Sequence, residues 1–279
     1  MIRRHTVRII RKLLFFVLLL FLGVMFLSPL ISTVLAGLRT DADLMRNGLF
    51  ALPEPPYLGG FGKVWEEGDL GTYMRNSFIV TLVALIGTVI CATLGAYALS
   101  QYTFRFKNVV FLVFMMGLFF PPQVYIVPVY FLANTLRIYN TYYGLMAVHI
   151  AYQLPFSMLM LRGFFRTIPT SFIDAARIDG ASDLHILWRI ILPLSLPVLG
   201  SLSILLFTWI WNDFFWALSM SHTKDTQTIM IGISAFRGRL AYNWNSEAAS
   251  SLISMFPPLV IFFLFQKLFI KGIRSGGIK

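Results

Sequence analysis

Asp213 follows Asn212 inside an apolar run that also carries Trp209, Trp211 and Trp216. An ionisable side chain in such a run is costly in hydrocarbon, so it either lines a wet path or bonds to a neighbouring helix. A carboxylate and an amide beside indole faces suit a ligand rich in hydroxyl groups. The same two side chains equally suit bonds between helices, and the residue types leave both readings open. Gln123 and Tyr125, after Pro121-Pro122, and Tyr152-Gln153, before Pro155, are the other polar candidates for a pathway.

Other chemistries find little support. The single cysteine, Cys91, allows no disulfide within the chain and no cysteine metal site. His5, His149, His185 and His222 are far apart without HxxxH spacing, so no metal ligand is assigned. A phosphate-binding loop needs G-x-x-x-x-G-K-[ST]. The sole Gly-Lys pair is Gly62-Lys63, where Tyr57 replaces the first glycine and Val64 the hydroxyl. ATP is therefore not held here by that device, and work done by this chain must draw on a partner or a gradient. Gly232-Ile233-Ser234-Ala235 places a serine in a loose nucleophile pattern, but no histidine follows to act as base. No catalytic residue is assigned.

The segment 163–193 is built unlike a random linker. Pro169 precedes Thr170 and Ser171, and Ser171-Phe172-Ile173-Asp174 has the spacing of a capping box, with Asp in place of the usual Glu or Gln. A short helix is expected to about Asp179, stopped by Gly180, which tolerates a left-handed backbone. A second is expected to restart near Ser182 with apolar residues Leu184, Leu187, Trp188 and Ile191, and Pro193 to mark the turn into the next apolar run. Ala175 and Ala176 let the first helix approach another backbone closely. By local physics it transmits a push from a partner, or it rests on lipid headgroups.

These residues need elements to position them, and the composition says what kind. Of 279 residues, 57% are hydrophobic and only 13% charged, against about 25% charged in ordinary soluble domains; mean hydropathy is +0.74. That excludes most soluble folds and predicts a polytopic membrane protein. Six runs reach the roughly 20 residues a crossing helix needs: 13–38, 76–100, 109–132, 141–161, 194–220 and 251–270. Proline and glycine inside several of them predict a packed bundle around a pathway, since freed backbone groups need protein or water partners. Fifteen of the 23 Lys and Arg fall in the N-terminus, the segments near Arg105 and Arg162–Arg189, and the tail. The positive-inside rule puts that side, and both termini, in the cytoplasm. The net charge of +11 is thus spread in clusters between apolar runs, which argues against a nucleic-acid face. Residues 1–36 resemble a signal peptide, with Val34-Leu35-Ala36 as a cleavage site, but the apolar stretch exceeds the usual 7–15 residues, so an uncleaved first helix is expected. The divisions are 1–38, an extracytoplasmic segment 39–75 too short for an enzymatic domain, a five-helix core 76–270, and a basic, glycine-rich tail 271–279.

Asp174-Ala175-Ala176, three residues, Gly180, nine residues, Ile190, one residue and Leu192-Pro193 resemble the EAA loop of ABC importer permeases, EAA-x3-G-x9-I-x-LP, departing only in the leading Asp. Asn76-Ser77, Ala96-Tyr97-Ala98, Leu161-Arg162-Gly163-Phe164-Phe165, Trp211-Asn212-Asp213 and Gln266-Lys267-Leu268-Phe269-Ile270-Lys271-Gly272 extend the likeness to the carbohydrate branch, near the maltose-type permease with a short N-terminus. It covers about residues 70–273; residues 40–70 carry little of it. The resemblance implies an all-α, type I ABC importer permease fold with six transmembrane helices and a cytoplasmic coupling helix between spans four and five. It assigns coupling to an ATPase to Asp174, Ala175, Ala176, Arg177, Gly180, Ile190, Leu192 and Pro193. It implies a second permease subunit, two ATP-binding subunits that hold ATP and Mg, an extracytoplasmic solute-binding protein, a bacterial inner-membrane location, no cofactor in this chain, and a solute that is a sugar. A polyol or glycerol phosphate solute, and a gradient-driven carrier, are the alternatives. The tail either frays or reaches between the ATPase subunits.

Overall fold

The computed structural model describes the backbone of residues 2–239 and 243–276 and the side chains of residues 10–235 and 243–267. The described secondary structure is helical and falls into two compact units, 1–70 with 233–254, and 71–232 with 255–279.

The first unit starts with α1 (Ile2–Gly37), a continuous helix that runs through the Val34–Ala36 segment. Its Leu, Phe and Val side chains from Leu13 to Leu27 are almost all exposed, as expected of a helix whose solvent is lipid. Beyond it, Thr40 caps α2 (Asp41–Asn47) by accepting from the Asp43 N–H at 3.3 Å, and α3 (Gly59–Glu66) follows. Buried Arg39 donates to the Gly48 carbonyl at 2.6 Å and the Asp43 carbonyl at 2.9 Å, and its Nε pairs with the Asp43 carboxylate. That hydrogen-bonded pair holds the Asp43 carboxyl below its ordinary pKa and raises that of Arg39. Asn245 donates to the Gly37 carbonyl at 3.0 Å, closing the end of α1, while its own N–H donates to Asp41 at 2.9 Å.

The second unit opens on α4 (Leu70–Gln101) and continues through α5 (Lys107–Met116), a 3-10 turn at Pro122–Val124, α6 (Ile126–Thr135) and α7 (Tyr142–Phe165). Next come α8 (Thr170–Ile178), α9 (Asp183–Ile186), a π turn at Leu187–Ile191, α10 (Leu192–Leu194), α11 (Leu196–Trp211) and α12 (Phe215–Met220). Two helices cross between the units, α13 (Ile229–Arg239) and α14 (Trp244–Gly276). The central element is α7, which packs on α5, α11 and α12. Around it Leu145, Met158, Leu161, Phe165, Leu202, Leu206, Ile210 and Trp216 form one core.

Among the described residues, four helices, Ile10–Gly37, Leu70–Gln101, Tyr142–Phe165 and Trp244–Lys267, are long and apolar enough to cross a membrane, and Asp183–Leu194 with Leu196–Trp211, bent by 78°, counts as a fifth if taken as one span. The sequence predicts six. Its third run is divided into α5 and α6, each about 15 Å long, because Gly117 ends one helix and Pro121-Pro122 supply no N–H to continue it. Its fifth run is likewise divided at Asn212-Asp213. Two polar clasps fix the connections. Asn76 on α4 donates to the Lys224 carbonyl at 3.0 Å and the Gln227 carbonyl at 2.9 Å, and accepts from the Tyr142 hydroxyl at 2.6 Å. Asn140, at a φ of 54°, accepts from the His222 and Thr223 N–H groups at 2.8 and 3.0 Å. The segment between α12 and α13 is thereby pinned from α4 and from the turn that leads into α7.

Candidate functional site

The predicted short helix is present as α8, but it starts two residues before the capping box requires. Pro169 is the N-cap, already extended at ψ 131°, and no side chain caps the helix. Ser171 therefore lies inside the first turn, and the Ser171–Asp174 box is not formed. The C-terminal stop is as expected: Gly180 has φ +79°, and Ala181 N–H donates to the Ala176 carbonyl at 2.9 Å. Ser182 caps α9 through the His185 N–H at 3.4 Å.

Two faces of α8 differ. Ile173 is 2% exposed and lies in the core with half-buried Ala176 packed beside it. Phe172, Ala175 and Ile178, three residues apart and hence on one side, face outward; Ile178 is 86% exposed. Asp174 and Arg177 lie along one side of this stripe and are exposed, while Ile190 and Leu192 pack on the core. Among the four apolar residues expected on the second helix, Leu187 and Ile191 are buried, whereas Leu184 and Trp188 are exposed. Pro193 does not mark the turn. The helix runs past it to Leu194, and the bend comes at Ser195. The proline lacks an N–H and its ring crowds the carbonyl four residues back, which accounts for the π widening at Leu187–Ile191.

Asp183, which the sequence offered no reason to single out, ties this region to α4. Its carboxylate accepts from Arg177 at 3.3 Å and from the Tyr102 hydroxyl, and its carbonyl accepts from the Tyr97 hydroxyl at 3.2 Å. The hydrogen bond to Tyr102, then that to Arg177, holds the Asp183 carboxyl below its ordinary pKa, and the same bond pushes the Tyr102 phenol up to about 12. Nearby, Arg162 donates to the Leu99 carbonyl at 3.2 Å and lies 3.8 Å from the Phe111 ring centroid, while Lys107 donates to the Tyr102 carbonyl at 2.7 Å. Cations thus satisfy the carbonyls left free at the C-terminus of α4.

The polar candidates gather partly. A cavity of about 690 Å³ is lined by Tyr152, Gln153, Asn212, Asp213 and Trp216, together with His149 and Trp209. Asp213 lies at the break between α11 and α12 and accepts the Ala217 N–H at 3.0 Å; His149 Nε2 is 3.8 Å from its carboxylate. Asn212 donates to the Thr208 carbonyl at 2.9 Å. A second, apolar cavity of about 650 Å³ holds Tyr125. Trp211 lines neither: it is buried, 4.8 Å from the Phe78 ring and stacked at 5.6 Å on Phe207. Gln123 is exposed on the 3-10 turn and also lines neither. His149 was not among the candidates; its signal was a polar side chain one helical turn before Gln153 in an apolar run.

The chain matches the family described as "Binding-protein-dependent transport system inner membrane component" over residues 87–275. The probable ABC transporter permease protein YurM of Bacillus subtilis (strain 168) is 33% identical over 251 residues, 90% of this chain and 83% of the relative. The arabinooligosaccharides transport system permease protein AraQ of Halalkalibacterium halodurans is 30% identical over 262 residues, 93% of each chain. A chain from the crystal structure of a bacterial ABC transporter involved in the import of the acidic polysaccharide alginate superposes with a TM-score of 0.81 at 24% identity, over 92% of this chain and 96% of that one. The shared fold is that of type I ABC importer permeases. The matched span contains α8, Gly180 and Asp183 as well as the cavity, and the chain belongs to the binding-protein-dependent transport system inner-membrane components.

Proposed function

We propose that this chain is one of two permease subunits in an ATP-driven importer for a carbohydrate, with α8 as the helix that couples it to an ATP-binding subunit. The observation that carries this reading is the two-sided character of α8. Ile173 and Ala176 root it in the bundle, while Phe172, Ala175 and Ile178 form an outward apolar stripe beside exposed charges. Apolar side chains so exposed on a rooted helix mark a surface for a partner. AraQ's name supports the carbohydrate part. The sister permease, two ATP-binding subunits holding ATP and Mg, and an extracytoplasmic solute-binding protein complete the complex. The α5–α6 pair and the broken α11–α12 segment are read as the third and fifth of six spans, with both termini cytoplasmic.

In this mechanism ATP binding closes the two ATPase subunits and draws α8 with them. Gly180 and the Asp183 ties pass the displacement to α4 and, through α9 and α10, to α11. The bundle turns from inward-facing to outward-facing, receives the solute from the docked binding protein, and is reset by hydrolysis. Ile178→Glu places a carboxylate in the docking stripe and leaves the rooted face untouched. We expect the ATP-binding subunits to co-purify with the unmodified chain and to be lost from Ile178→Glu at equal membrane abundance. Full retention, with normal uptake, would falsify the docking assignment.

A further inference from the structure

Four cations gather where α4 ends and α5 begins, with no carboxylate among them. Lys107 and Arg162 share the carbonyls at the C-terminus of α4: Lys107 Nζ donates to Ser100 at 3.3 Å and to Tyr102 at 2.7 Å, and Arg162 Nε donates to Leu99 at 3.2 Å. Arg162 also lies over the ring of Phe111, one turn along α5 from Lys107. Arg166 follows Arg162 by one turn at the end of α7, and the charges of both act on the Lys107 ammonium. Arg105 lies 5.4 Å from the Phe106 ring centroid, at the head of α5.

This charge is not balanced locally. A helix C-terminus offers about half a negative charge, against a full positive one from each of Lys107, Arg162 and Arg166. Among the described residues none of the four cations is in an ion pair. Asp183, beyond Tyr102, accepts from Arg177 and Tyr102 instead. The N-terminus of α5 adds to the excess: it has neither a side-chain cap nor an acid in its first turn, and such an end favours anions. An apolar stripe starts at the same place. Phe106, Val109, Val110 and Val113, spaced three and four apart, run along one side of α5, and all but Val110 are more than half exposed. The opposite side packs on the core through Phe111 and Phe114. A free phosphate would use the cations alone, and an acidic face of a water-soluble partner would leave the stripe bare. A lipid uses both.

We propose that Lys107, Arg162 and Arg166, with the outward side of α5, form a site for an anionic phospholipid, its phosphate on the cations and an acyl chain along residues 106–113. Guanidinium groups suit a phosphate because they present a fixed fork of donors. Anionic lipids are drawn to basic clusters beside membrane helices. The assignment needs α5 in the membrane but does not rest on the importer reading.

The test uses the full chain, with the subunits that co-purify, and a trace of phosphatidylglycerol carrying a diazirine on its acyl chain near the headgroup. After irradiation, peptides bearing lipid are mapped by mass spectrometry. Adducts concentrate on residues 104–113 and 162–166; unlabelled phosphatidylglycerol suppresses them, and the same amount of phosphatidylcholine does not. Arg166 is exposed, and Arg166→Gln lowers the yield on both peptides about fivefold, the worth of one cation at a membrane surface. Arg189→Gln, which alters an exposed cation of the π turn after α9, leaves that yield unchanged. Equal labelling by a phosphatidylcholine probe, or no fall in Arg166→Gln, overturns the site. So does an equal fall in Arg189→Gln, which would mark diffuse attraction to the charged surface. An Arg166→Gln chain that keeps its lipid but loses the ATP-binding subunits would hand the cluster to those subunits instead.

Discussion

The Asp183 carboxylate accepts from two side chains, Arg177 and Tyr102, and its protonation follows from those bonds. Tyr102 and Arg177 favour the charged form, so the carboxyl titrates below its ordinary 3.8. The bonds therefore contribute fully above that pH and are lost as pH falls through the lowered value. For Tyr102 the sign reverses: its phenol is raised from 10.0 to about 12, so the contribution is complete below pH 10 and disappears on approach to 12. Near-ultraviolet tyrosinate absorbance, taken as the difference between the protein and a Tyr102→Phe variant, is expected to titrate near 12 and to move back toward 10 in Asp183→Asn. A difference curve centred at 10 in the unmodified protein would show that the phenol does not bond there. Gly144 gives a steric prediction at the same scale. A Cβ at this position would run into the backbone carbonyl of Ile138, which cannot swing aside as a side chain does. Gly144→Ala is expected to cost about 1–3 kcal/mol, as overpacking does, visible as a lower thermal midpoint in detergent. Neither residue stands out in the sequence, because Asp183 lies outside any fixed motif position and Gly144 is one glycine of 20. Asp213, by contrast, was legible: a carboxylate in an apolar run announces itself.

For the elements, local signals were read best where the backbone itself is constrained. Gly180 was recognised as a helix stop, and its φ of +79° is one that a β-branched side chain resists. Gly180→Val is expected to strain the α8–α9 corner by roughly 1–3 kcal/mol and to separate two activities, with ATP hydrolysis continuing and solute uptake falling. Equal uptake at equal abundance would disprove that role for the corner. Signals that depend on which of several adjacent residues wins were read less well. Ser171 has the right partner at the right spacing, yet Pro169 takes the cap position because its extended backbone and missing N–H cost the helix nothing there. Pro193 looks like a break, but the chain absorbs it in a π turn, and the bend falls at Ser195. The apolar run 109–132 is continuous in hydropathy but not in hydrogen bonding, which is why α5 and α6 are separate helices.

Across the second unit, the polar clasps decide how freely its connections move. Asn140 receives two backbone N–H groups and a hydroxyl from the segment after α12, and Asn76 holds the same segment from α4. Asn140→Ala takes the acceptor from two exposed N–H groups, which water can satisfy, and from the half-buried Thr226 hydroxyl, at about 0.5–1.5 kcal/mol. Faster hydrogen exchange over residues 221–228, with α7 itself unchanged, is the expected reading; no change in exchange would argue that Asn76 alone secures the segment. The family was legible from the motif it resembles, the helical class from composition and the short helix α8 from its spacing, whereas these clasps join residues roughly 80 and 150 positions apart and leave no local pattern. Pro155 sits inside α7, six residues after His149 and seven before Arg162. A proline there leaves one carbonyl without its helical donor and makes the rod easiest to flex at that point. With arms of about 10 Å, a flex of some 10° swings either tip by about 2 Å. A fulcrum at mid-helix would let a tug at the Arg162 tip open or narrow the gap around His149 while both arms keep their own shape.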